Sequence, residues 1–219
     1  MKQDRIRKAY ASSENIYDDV LTQRSFLSRM YVRIFWNGTD DRKVADEILY
    51  DIPDDFHGKI LDVPSGTAVF TQQKWKSLQQ AEITCLDYSR GMLKQAEERL
   101  RDCPDVHFVQ GDVTDLSMQD ETFDLVLSMN GFHAFQGKQK AYEEILRVLK
   151  PGGMFIGCFY VRGESSITDW LVKNLLVRHG WFTPPFITTA EWKELLLRDY
   201  RNVVVRTDGS IMLFQGVKK

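Results

Sequence analysis

Long apolar runs are missing from this chain. Stretches such as MFIGCFYV, beginning at Met154, fall far short of the roughly 20 residues that cross a bilayer. The opening segment MKQDRIRKAY has none of the apolar core that a secretory signal carries. A soluble, cytoplasmic protein without a membrane span is therefore expected. An excess of either charge is missing too, since 29 Lys and Arg stand against 31 Asp and Glu. That balance supplies no overall pull toward nucleic acid, and no nucleic-acid partner is expected. Cysteine is scarce. Cys85, Cys103 and Cys158 are scattered, odd in number and set in or beside apolar strands, which suits buried reduced thiols rather than a disulfide framework or a zinc site. His57, His107 and His179 show no ligand spacing, so no metal is expected. Repeats, linkers and low-complexity segments are also lacking, and 219 residues suffice for one sizeable core.

What the chain does contain is an alternation. Its first fifty residues read as helical, with IYDDVLTQRSFLSRMYVRIFW and DDRKVADEIL carrying apolar residues at mixed three and four spacings. From there GKILDV, AEITCLD, DVHFVQGD and TFDLVLSM are short apolar runs that end in polar or acidic residues, each followed by a helical or turn-rich segment. In SRGMLKQAEERLRD, Ser89 is an N-cap candidate and Met92, Leu93, Ala96 and Leu100 make one helical face. KQKAYEEILRVL is the next helix, ended by Pro151-Gly152-Gly153. Alternating β and α units predict a parallel sheet with helices on both faces. RNVVVRTDGSIMLFQGVKK then reads as two strands around Asp208-Gly209, a hairpin that adds an antiparallel strand.

Glycine is in short supply at one informative place. LDVPSGTA, residues 61–68, leaves an apolar strand for a turn and a helix, which is where a nucleotide fold puts its glycine-rich loop, yet only Gly66 is glycine. Ligands of open α/β sheets bind at the carboxyl ends of the strands, where the strand order reverses. Asp62 ends the first strand, Asp87 the second, and Asp112 follows the third. Asp87 lies 21 residues beyond Gly66, the spacing of an acid that accepts ribose hydroxyls. NAD fits that spacing equally well. A dinucleotide, however, sets its pyrophosphate against the turn and needs close backbone approach and free N–H donors. A ligand with ribose and adenine but no phosphate requires less, and so tolerates Pro64, which has no N–H, and Ala68, which has a side chain.

The strings ILDVPSGTAVFT, CLDYSRGMLKQA, QGDVTDL, FDLVLSMNGFHAF and LRVLKPGGMFIG resemble, in order and spacing, the class I S-adenosylmethionine-dependent methyltransferases, especially the small-molecule branch with the menaquinone and ubiquinone methylases. The match covers roughly residues 58 to 160. The resemblance implies a Rossmann-like, doubly wound α/β fold: a mostly parallel seven-stranded sheet with an antiparallel terminal hairpin strand, preceded by N-terminal helices. It divides a single 1–219 domain into an N-terminal cap (1–52), a cofactor core (53–160) and an acceptor side with the terminal hairpin (161–219). It also implies S-adenosylmethionine as cofactor and roles for particular residues. Asp62, Pro64 and the backbone around Ser65, Gly66 and Thr67 face the methionine part. Asp87 takes the ribose hydroxyls, Tyr88 and Met92 the adenine faces, and Asp112 with Val113 the adenine edge. Met129 and Asn130 lie beside the sulfonium.

Methyl transfer is an in-line displacement, so alignment and exclusion of water supply much of its catalysis, and a base is needed only where the nucleophile must lose a proton. The candidates are His133, after the fourth strand, and Tyr10 and Tyr17 in the N-terminal helical region. Trp170, Trp181, Phe182 and Phe186, stiffened by Pro184-Pro185, suggest an apolar pocket for a small-molecule acceptor. A non-catalytic protein of the same fold that only binds the cofactor is the alternative.

Overall fold

A computed structural model describes residues 41–219. Tyr10, Tyr17 and most of the N-terminal segment read as helical lie outside the described residues.

Seven strands form one sheet: β1 (His57–Asp62), β2 (Gln80–Asp87), β3 (Val106–Gln110), β4 (Phe123–Met129), β5 (Leu149–Tyr160), β6 (Tyr200–Asp208) and β7 (Ile211–Lys218). Their order is β3-β2-β1-β4-β5-β7-β6. The first five run parallel, and β7 is antiparallel to both β5 and β6. The expected mostly parallel sheet with a terminal hairpin is what forms. Strand order reverses between β1 and β4, and this places the ligand crevice at their carboxyl ends.

The central strands read as unbroken apolar runs because both of their faces are covered. Ile60 and Leu61 of β1 are both fully buried, although they point to opposite faces. Over one face lie Val44 and Ile48 of α1 (Asp41–Tyr50), Trp75 of α2 (Gln72–Ser77), Ala96 of α3 (Arg90–Arg99), and Val172 and Leu176 of a π-helical turn (Val172–Leu176) that continues α5 (Ser166–Leu171) into the short α6 (Val177–His179). Over the other lie Ala141, Tyr142 and Ile145 of α4 (Lys138–Val148) and Trp192 and Leu196 of α7 (Thr189–Asp199). Ser89 caps α3 by accepting the Met92 N–H, and Thr188 with Glu191 forms a capping box on α7.

α4 stops at Val148, ahead of the predicted breaker at Pro151. The reason is pairing. Buried Leu149 already joins Phe123 of β4, and the register then jumps to Leu125 opposite Met154, so Pro151-Gly152-Gly153 fall in the skipped stretch. At the other end Gly209 supplies the positive φ, +55°, that the Asp208-Gly209 turn needs. β7 thereby inserts between β5 and β6. Cys85 and Cys158 are buried free thiols and Cys103 is a half-buried one. Among the described residues no helix is long and apolar enough to cross a membrane.

Candidate cofactor-binding site

The carboxyl ends of β1, β2, β3 and β4 enclose a cavity of about 280 Å³. Each strand delivers its last residues there because a parallel sheet points all carboxyl ends one way. All twelve residues put forward above for the cofactor line it, from Asp62 and the 64–67 loop through Asp87, Tyr88, Met92, Asp112 and Val113 to Met129 and Asn130.

Asp62 is buried, and its Oδ2 accepts the indole N–H of Trp75 at 3.0 Å. Burial pushes its carboxyl up to about 7, against that hydrogen bond, and the nearby Asp87 adds to the rise. Asp87 Oδ2 accepts the Gly66 N–H at 2.9 Å and Oδ1 accepts the Ser89 N–H at 2.8 Å. Burial raises it to about 6, and the backbone donors limit the rise. Asp87 thus ties the β1 loop to the start of α3 at the wall of the cavity. Asp112 is half-buried, and its Oδ1 accepts both the N–H and the hydroxyl of Thr114, at 2.9 and 2.8 Å. This is an Asx-type turn at the cavity wall.

The loop after β1 spends its donors internally. The Ser65 N–H donates to Leu86 O at 2.9 Å, Gly66 to Asp87, and Ala68 to Ser65 O at 3.0 Å. Gly66 and Ala68 both take positive φ, +54° and +57°. The path is therefore that of a glycine-rich loop, even though a side chain occupies the second of these places.

β4 ends in another left-handed residue, Asn130 (φ +55°), whose N–H donates to Cys158 O at 2.7 Å. Asn tolerates this conformation better than most residues. The reversal brings Ala134 and Phe135 back to the cavity, where Phe70, Gln136 and Lys140 also lie. These were missed from sequence. Gly131 was missed as well: a Cβ there would come within 2.5 Å of Pro64 Cδ and 2.6 Å of Phe135 Cζ, so only glycine lets the two loops close against each other.

His133 requires a correction. It is buried and is not among the residues lining the cavity. Its Nδ1 accepts the Tyr160 N–H at 3.2 Å, and its ring stacks on Phe182 with centroids 4.0 Å apart. Burial, with Lys138 nearby, drives its pKa down to about 3. A neutral imidazole bonded in this way ties loops together. Lys138 plays a similar part. Its Nζ donates to Phe135 O at 2.8 Å and Thr183 O at 2.6 Å, and burial lowers its pKa to about 8. The aromatic segment also lies apart from this cavity. Phe182 and Phe186 pack edge-on against Tyr160, Trp170 is 62% exposed, and neither these nor Trp181 line the cavity.

The site thus combines a strand order reversing between β1 and β4, an acid at each of the first two carboxyl ends, and a loop whose Ser65, Gly66 and Ala68 N–H groups are bonded within the protein. Residues 60–153 match the family model described as a methyltransferase domain. The chain is 36% identical over 130 residues to the ubiquinone/menaquinone biosynthesis C-methyltransferase of Idiomarina loihiensis, covering 56% of this chain and 52% of that one. It is 36% identical over 143 residues to a demethylmenaquinone methyltransferase of Leptospira interrogans, covering 62% and 57%. It thus spans little more than half the length of these relatives. A solved structure described as an S-adenosylmethionine-dependent methyltransferase, possible histamine N-methyltransferase, from Thermotoga maritima superposes with a TM-score of 0.70 at 17% identity, over 98% of this chain and all of that one. The chain shares the fold of that solved methyltransferase structure, and its sequence is similar to those of relatives named as ubiquinone/menaquinone and demethylmenaquinone methyltransferases.

Proposed function

We propose that this protein transfers a methyl group from S-adenosylmethionine to a small-molecule acceptor, at an O, N or C centre. The donor set of the loop carries the reading. Ser65, Gly66 and Ala68 direct their N–H groups into the protein and Pro64 has none, so a pyrophosphate would lack those donors. A cofactor with ribose and adenine but no phosphate does not need them. The sulfonium supplies an electrophilic methyl, and its transfer lowers the charge of the reacting pair. Around it Asp87 would accept ribose hydroxyls, Asp62 would face the methionine ammonium, and Tyr88, Met92, Asp112 and Val113 would hold the adenine. Met129 and Asn130 would flank the methyl, with Phe70 and Phe135 excluding water. One relative is named as a C-methyltransferase, which makes carbon centres the first acceptors to screen. The lid role is retained for the residues ahead of α1, since α1 itself is packed into the core. Balanced charge and free thiols support a cytoplasmic location.

Calorimetric titration with S-adenosylmethionine, S-adenosylhomocysteine and NADH tests the proposal. The first two are expected to bind and NADH to give no heat; binding of NADH alone would overturn it. The second reading, a non-catalytic cofactor-binding protein, gains from the placement of His133 outside the cavity. Transfer of labelled methyl to any acceptor in a screen excludes that reading.

The raised carboxyls predict a pH dependence. Asp62, at about 7, and Asp87, at about 6, are charged above those values, and the charged forms attract an ammonium and accept hydroxyls. S-adenosylhomocysteine affinity is therefore expected to rise between about pH 5.5 and 8. Stability of the ligand-free protein moves the other way. Both folded-state values lie above the unfolded ones, so the folded state holds extra protons and loses stability as pH rises from about 4 through 7. A pH-independent affinity would remove both carboxyls from ligand contact.

A further inference from the structure

We propose that Arg99 is a positioning residue for the cofactor, holding the glycine-poor loop in its binding conformation from the far end of α3. The proposal rests on the reading of the cavity as an S-adenosylmethionine site. Arg99 stands in the last turn of α3, and its Nη1 donates to the carbonyl of Thr67 at 2.6 Å, 32 residues away in sequence. A short bond from a guanidinium is among the stronger hydrogen bonds a protein makes. Two peptide links earlier, at the Ser65–Gly66 link, the Gly66 N–H is held by Asp87 Oδ2. The two-residue stretch Gly66-Thr67 is therefore held at both ends by charged groups of the next β-α unit, its first N–H by a carboxylate at the end of β2 and its last C=O by a guanidinium at the end of α3.

The loop has a specific need for such a clamp. Gly66 takes its left-handed conformation without steric cost, but Ala68 does not, because its Cβ crowds the backbone there. Nor is Ala68 free to turn outward, since it is buried and packed in the core. In a glycine-rich loop the conformation is inexpensive in itself. Here an external bond to Thr67, the residue between the two left-handed positions, holds it. Arg99 acts through Asp87: with the Gly66-Thr67 stretch held, the Asp87 carboxylate that accepts the Gly66 N–H keeps its orientation at the cavity wall. Nothing in the helical pattern of SRGMLKQAEERLRD marks Arg99 as different from the charged residues around it.

The test combines hydrogen exchange with calorimetry on the full chain. In R99A, protection of the Gly66 and Ala68 amides is expected to fall in the ligand-free protein, and the Kd for S-adenosylhomocysteine to rise about tenfold, with the melting temperature within a few degrees of wild type. R99K, which keeps a charged donor, is expected to recover most of both. A68G in the R99A background is expected to recover part of the affinity, because it relieves the conformation the clamp sustains. Unchanged amide protection and affinity in R99A would overturn the proposal, as would a uniform loss of protection across the sheet, which marks a merely structural role. Should R99A fail to fold, R99Q is read in the same two ways. If the wild-type protein binds no S-adenosylhomocysteine, the cofactor reading falls, and amide protection still decides whether Arg99 clamps the loop.

Discussion

Asp87→Ala is expected to weaken S-adenosylhomocysteine binding by at least about tenfold while the protein stays folded. The carboxylate has two tasks. It accepts the Gly66 and Ser89 N–H groups, and in the proposed role it would also accept the ribose hydroxyls. Hydrogen bonds to a charged group contribute about 1.5–3 kcal/mol each, so even one lost ribose bond amounts to a factor of ten or more. The fold tolerates the loss because burial already makes this charge unfavourable above about pH 6. Asp87→Asn sharpens the test: it removes the buried charge but sets an NH2 group against one of the two backbone N–H donors, and is expected to stay folded while binding less tightly. Calorimetry paired with thermal melts reads both quantities. Wild-type affinity in a folded Asp87→Ala protein would remove Asp87 from the site.

The other large effect is expected at Gly157, which lies outside the cavity. It pairs with Ser128 on β4 and Phe214 on β7 in the middle of the sheet. A Cβ there would stand 2.0 Å from Ser128 O and 3.1 Å from Phe214 Cζ. The first neighbour is backbone in a central strand and has no rotamer to change. Gly157→Ala is therefore expected to cost on the order of 3 kcal/mol or more, since overpacking penalties run at about 1–3 kcal/mol where side chains can adjust. For a chain of this size that lowers the melting temperature by at least about 6 °C. The site suffers as well. Forcing β5 from β4 strains the bond from Asn130 N–H to Cys158 O that shapes the cavity wall. A variant melting within about 2 °C of wild type would show that the strands part more easily than the packing allows.

The acids at the strand ends were legible in the sequence because local order determines them. A strand that ends in Asp at the reversal point presents that Asp to the crevice, whatever the distant chain does, so Asp62, Asp87 and Asp112 could be placed from spacing. His133 could not. It stands four residues from Met129, but the left-handed Asn130 turns the chain between them, and no pattern in MNGFHAF announces that turn. The aromatic residues of WFTPPF pose the same difficulty, since a ring over a pocket and a ring stacked on a buried histidine leave the same trace in a sequence. Lys138 and Arg99 were hidden for the opposite reason. Each sits among charged residues on an amphipathic helix, and only tertiary packing shows that one is buried against carbonyls and the other reaches back to a loop. Ala68 is a further case: its side chain marked a loop with less need of close backbone approach, while its φ shows that the glycine path is kept.

The placement of β7 sets an order of assembly during synthesis. The strand made last among those described is an interior one, since it separates β5 from β6 and supplies the partners of residues 154–160. As the ribosome releases the chain, β1 to β4 can pair and α4 can cover them, but the free edge of β5 has no partner until residues 211–217 emerge. An unpaired strand edge in a nascent chain is a template for wrong pairing with other chains. The β6–β7 hairpin limits that exposure, because its turn at Asp208-Gly209 lets both strands zip locally and dock as a unit.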